Sequence, residues 1–159
     1  MKPALIVDHL PESLLMHWLV LEKECPLDIS VYPPPGAEMI RAPYYSDGDV
    51  LIYDHQVLVQ FLQERYPGEQ LLPLDPVSRA QIRQACELIR RPDDIDLMEE
   101  IVKVMETGTK YMAGKEFSLL DIYVGSWMHK NYNKLGVSAA VVSYWRRIAS
   151  RAAFRIATS

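Results

Sequence analysis

The chain has 159 residues, 49% of them hydrophobic and 24% charged, a globular composition that speaks against a disordered polar chain and against a membrane-spanning one. A net charge of −4 argues against nucleic-acid binding through overall charge and leaves that role to a local basic patch. Two cysteines, Cys25 and Cys86, without a CxxC pair or a cluster, predict reduced core thiols in a cytoplasmic protein.

The opening stretch MKPALIVDHL has a charge and a short apolar run but no small-residue cleavage site, so Ala4 to Val7 is read as a first strand and not as a signal peptide. Ser13 follows Pro11 as the expected N-cap of a helix carrying Leu14, Leu15, Trp18 and Leu19, which Cys25-Pro26 ends. Leu27 to Tyr32 alternates as a second strand, and strand, helix, strand predicts a right-handed unit with parallel strands. Pro33-Pro34-Pro35-Gly36 and Ala37 to Arg41 supply one helical turn at most. Tyr44-Tyr45 lead into Asp47-Gly48, a pair suited to a tight hairpin, and Val50 to Tyr53 form the return strand. Asp54 can cap a helix whose apolar face is Val57, Leu58, Phe61 and Leu62 and which stops at Tyr66-Pro67-Gly68. The proline-rich run Leu71 to Pro76 reads as an extended link.

From Val77 the periodicity is helical. Ala80, Ile82, Ala85, Cys86 and Ile89 predict one helix ending at Arg91-Pro92, and Ile95, Met98, Ile101, Val102 and Met105 another ending near Gly108. Ser118 and Asp121 have capping-box spacing, with Asp in place of the usual Glu or Gln, and Phe117 with Ile122 can form a hydrophobic staple. After Lys134-Leu135-Gly136, the positions Val141, Val142, Trp145, Ile148 and Ala149 mark a last long helix. Charge is uneven. Asp93, Asp94, Asp96, Glu99, Glu100 and Glu106 crowd one segment, whereas Lys130, Lys134, Arg146, Arg147, Arg151 and Arg155 follow Asp121 with no acid among them. Arg147, Arg151 and Arg155 recur at helical spacing, which suits an interaction face or a solvated helix end. His9, His17, His55 and His129 have no ligand spacing with each other or with the cysteines, so no metal site is expected.

Several of these features fall at a mutual spacing that resembles the glutathione transferase superfamily. They are Pro43, Asp54-His55, Phe61-Leu62-Gln63-Glu64-Arg65-Tyr66-Pro67 and Leu71-Leu72-Pro73-Leu74-Asp75-Pro76, with the Ser118–Asp121 cap as a second match. Within the superfamily the resemblance is to its stringent starvation protein A branch and to ordinary bacterial transferases. It implies an α+β fold in which a thioredoxin-like domain (1–72) passes through a linker (73–76) into an all-helical domain (77–159), both shortened.

The resemblance also implies a site. The family activates the thiol of glutathione with Tyr, Ser or Cys near the start of the first helix; here that place falls on Leu10, and Ser13 is the one candidate catalytic hydroxyl. The candidate ligand-binding residues are Ala42, through its backbone beside Pro43, and the pair Asp54-His55, where His replaces the family's Ser. No cofactor is expected, with glutathione the ligand that the resemblance leaves possible. Two readings follow. One is a non-catalytic protein acting through protein contacts, a transcription regulator associated with RNA polymerase, with no membrane and no direct nucleic-acid contact. The other is a small transferase acting on glutathione and an electrophile or disulfide. The family's dimer contact leaves a homodimer open to either. The regulator branch carries Pro-His-Pro where this chain has Pro67-Gly68-Glu69.

Overall fold

In the computed structural model, which describes residues 2–90, 95–135 and 138–159, the first apolar run becomes the inner strand of a four-stranded sheet. This β1 (Ala4–Ile6) leads to α1 (Pro11–Glu22) and then β2 (Asp28–Ser30). The hairpin β3 (Tyr44–Asp47) and β4 (Val50–Ile52) follows, with α2 (His55–Arg65) after it. The sheet order is β2-β1-β3-β4; β1 pairs parallel with β2 and antiparallel with β3. Leu5 and Ile6 are buried, as are Leu15, Met16, Trp18 and Leu19 of α1 and Leu58, Val59 and Leu62 of α2. These elements belong to the first of two compact units, Met1–Glu69 and Gln70–Ala157.

Three local readings shift. Ser13 is not the N-cap: α1 begins at Pro11 with Leu10 in the cap position, because proline's fixed φ and missing N–H suit the first helical residue. Asp47 pairs with Val50, so the hairpin loop is Gly48-Asp49, with Gly48 at φ 59 as such a tight turn requires. On α2, Val57 is 54% exposed and Val59 takes its place beside Leu58 and Leu62. At 100° per residue Val57 falls outside the stripe that Leu58 and Leu62 define.

The second unit contains α3 (Pro76–Arg90), α4 (Ile95–Glu106), α5 (Leu119–Asn131), a 3-10 turn (Tyr132–Lys134), α6 (Ala139–Ala149) and α7 (Ala152–Ala157). The expected helix stop at Arg91-Pro92, the acids Asp93 and Asp94, and Gly136 lie outside the described residues. α3 buries Ile82, Cys86 and Ile89, and α4 buries Ile101 and Met105. α5 is buried continuously from Leu119 to Ser126 and packs against α3 and α6, which makes it the unit's central helix. A capping box closes its start in both directions. The carboxylate of Asp121, fully buried, accepts from the N–H groups of Ser118 and Met112, both at 2.9 Å, and from the Tyr144 hydroxyl at 2.7 Å. Burial pushes its pKa up while these donors pull it down.

Replacing Asp121 by Ala strips the acceptor from three groups at once, two of them buried. The expected loss is about 3 kcal/mol, from the cap and the unpaired donors together. Tyr144→Phe, which removes one partner, is expected to cost about 1 kcal/mol. Urea unfolding measures both as a lower midpoint at unchanged slope.

Candidate functional site

The register of the sheet decides which loops meet. Ile6 lies opposite Tyr44 and beside Ser30, and Tyr45 lies opposite Ile52. The stretch after β1 (Val7 to Leu10), the residues before β3 (Ala42-Pro43) and those after β4 (Tyr53 to His55) therefore converge on one end of the sheet. β4 is parallel to β1, since each pairs antiparallel with β3. Hence α1 and α2 both start at this end and present their N-termini, with free N–H groups and partial positive charge, to the same region.

The five residues singled out from sequence in this unit all stand here. The Ala42-Pro43 peptide is cis, with Pro43 buried and Ala42 half-buried. Asp54 is exposed and caps α2, its Oδ1 accepting from the Val57 N–H at 3.1 Å. His55, half-buried, opens that helix. Ser13 is 1% exposed in the first turn of α1. Its hydroxyl donates to Asp8 Oδ1 at 2.7 Å and accepts from the Asp8 N–H at 3.0 Å. The same Oδ1 accepts from the Leu10 N–H at 2.9 Å.

Asp8 is the residue the sequence reading passed over. It closes the corner between β1 and α1 in a ring of three hydrogen bonds that uses both functions of the Ser13 hydroxyl. An Asp followed two residues on by a backbone N–H it can accept from is an Asx turn, and that is the signal that was available. Chemically, this end of the sheet offers two helix N-termini, the carboxylates of Asp8 and Asp54 and the imidazoles of His9 and His55, groups that can hold the charged ends of a peptide-like ligand.

The same plan is found among solved structures. A glutathione transferase from Methylobacillus flagellatus, with glutathione bound, superposes with a TM-score of 0.78 over 98% of each chain at 20% identity. The fold is that of the glutathione transferases. No family model matches the sequence. Among curated proteins, it is 26% identical over 138 residues to a stringent starvation protein A homolog of Histophilus somni, covering 70% of this chain and 65% of that one. It is 30% identical over 102 residues to glutathione S-transferase omega-1 of Sus scrofa, covering 50% and 42% respectively. The chain thus spans less than two thirds of the length of each of these relatives. The resemblance to the glutathione transferase superfamily, and within it to stringent starvation protein A, is borne out, as is the thioredoxin-like plus all-helical plan.

In the second unit of this transferase fold, the basic positions are drawn into structure. The helix that was expected to run on breaks at Ser150, between α6 and α7, so Arg147, Arg151 and Arg155 do not share one continuous helix. Arg147 donates to the Lys110 carbonyl at 2.7 Å, and the Arg151 guanidinium lies 3.7 Å from the centre of the Phe117 ring. Phe117 also meets Tyr111 edge-on at 5.7 Å. Arg155 is exposed on α7.

Both cysteines are free and buried. Burial, only partly offset by Lys23, pushes Cys25 up to about 11, and burial pushes Cys86 up as well. A folded value above the unfolded one means that each thiol's contribution to stability is intact below the ordinary thiol range and is lost as pH rises through the folded value. Neither thiol is therefore a thiolate at neutral pH. An aromatic disulfide reagent at pH 7 to 8 is expected to titrate both only after denaturation, with native-state reaction slower by about a hundredfold or more. A second test concerns the corner: Ser13→Ala is expected to lower stability by about 1–2 kcal/mol, measured by urea unfolding.

Proposed function

We propose that this chain is a non-catalytic protein of the glutathione-transferase fold that acts through protein contacts, as a bacterial, cytoplasmic transcription regulator associated with RNA polymerase. The closed corner between β1 and α1 carries this reading. Where the family sets its activating group stands Leu10, and the Ser13 hydroxyl that follows is buried and committed to Asp8 as donor and acceptor. A hydroxyl whose single proton is so engaged has none to donate to a thiolate without breaking the turn it holds. The likeness to stringent starvation protein A homologs supports the partner class. Arg147, Arg151 and Arg155 remain the proposed contact face, and the division into 1–72, 73–76 and 77–159 remains the proposed domain plan. Among the described residues no helix is long and apolar enough to cross a membrane.

The second reading, a small transferase acting on glutathione, rests on the convergence of Ala42-Pro43, Asp54 and His55. Calorimetry separates the two. Glutathione titrated into the chain is expected to give no binding heat, and RNA polymerase is expected to be retained on the immobilised chain. Millimolar or tighter glutathione binding that vanishes in the Asp54→Ala, His55→Ala double variant would favour the enzyme. Conjugation and disulfide-reduction assays would then follow.

A further inference from the structure

The opposite end of the first unit's sheet holds a second concavity. α1 and α2 both run back from the convergent end, so their C-termini meet near Pro3, which precedes β1. A cavity of about 310 Å³ opens there, lined by Lys23, Glu24, Arg65, Tyr66 and Gly68 with the neighbouring prolines. Two cations on its wall are the point of interest.

Lys23 is only 3% exposed. Its ammonium has three donors, yet the one acceptor it meets is the Glu69 carbonyl at 3.1 Å. The Arg65 guanidinium lies 5.1 Å from the centre of the Tyr66 ring. Among the described residues, neither cavity cation has a carboxylate partner within 4.0 Å. Helix C-termini favour nearby cations, which gives both residues a structural reason to be here. That reason supplies no partner for the remaining donors of a buried ammonium, and an unpaired buried charge is costly.

The wall is also pre-formed. Gly68 fits so closely against α1 that a Cβ on it would lie 2.7 Å from the Lys23 carbonyl oxygen. Glu24 adopts φ 51, a conformation that side-chain-bearing residues seldom take, as the chain turns out of α1. Desolvation lowers the Lys23 pKa against a smaller upward pull from Cys25 and Glu69, and an anion in the cavity would oppose the shift further.

We propose that this cavity binds a small oxyanion, a phosphate or carboxylate group held between the Lys23 ammonium and the Arg65 guanidinium. Arginine's planar fork suits two-point contact with such a group, and lysine adds a point charge. The Glu24 carboxylate on the same wall disfavours a polyanion and suits a ligand whose other end is neutral or cationic.

The test is a ¹H–¹⁵N titration of the full chain with inorganic phosphate and, separately, with succinate, at ionic strength fixed with sodium chloride. Saturable shifts in the millimolar range are expected at the Glu24, Arg65 and Gly68 amides and not at His55 or Gln56, which keeps this site distinct from the candidate glutathione site. A response to phosphate alone, to succinate alone or to both assigns the group that is held. Arg65→Gln is expected to weaken binding about tenfold or more, and Lys23→Met to do the same. Should Lys23→Met fail to fold, the exposed Arg65 carries the test alone. No saturable shift with either probe, or shifts left unchanged by Arg65→Gln, would overturn the proposal.

Discussion

A single buried carboxylate organises the helical unit. Asp121 begins as a local device, the return half of a capping box that fixes where α5 starts. Because α5 is buried along most of its length, its start cannot be solvated, and its orphan N–H groups must find acceptors inside the protein. Asp121 accepts from the Ser118 N–H, the Ser118 hydroxyl accepts from that of Leu120 and the Leu71 carbonyl from that of Leu119. Through Tyr144 and Met112, Asp121 also ties α5 to α6 and to the loop before it. Cap, helix packing and loop are thus held by one group, whose ionised form is opposed by burial and favoured by its donors.

The first unit repeats this logic on a smaller scale. Asp8 gathers the Ser13 hydroxyl and the Leu10 N–H and sets how the chain leaves β1 for α1. The Ser13 hydroxyl thereby serves as both donor and acceptor within the turn. The opposite helix ends show the reverse economy: Lys23 and Arg65 bring more donor capacity to a cavity than the surrounding residues use.

The strands, the two-part plan and the Asp54 and Ser118 caps were legible because each is written in neighbouring residues. A cap needs one acceptor and two or three N–H groups a turn away, and a strand or helix needs only its hydrophobic period. What failed to show was whatever depended on choosing between local alternatives. Pro11 and Ser13 both mark a helix start, and the choice of Leu10 as cap went with the Asp8 carboxylate that claimed the serine. The helical spacing of Arg147, Arg151 and Arg155 runs across the break between α6 and α7 because Ser150 does not announce it.

The sequence by itself determined the order of elements, the resemblance to glutathione transferases and the residue types present at the candidate site. Tertiary structure decided which of those residues meet. Sheet register brought Ala42-Pro43, Asp54 and His55 to one end and left Lys23 and Arg65 at the other, and folding buried the Ser13 hydroxyl in the turn closed by Asp8. The physical reason is range: caps and periodicity act over a few residues, whereas pairing between distant strands and exclusion of water exist only once the chain has folded.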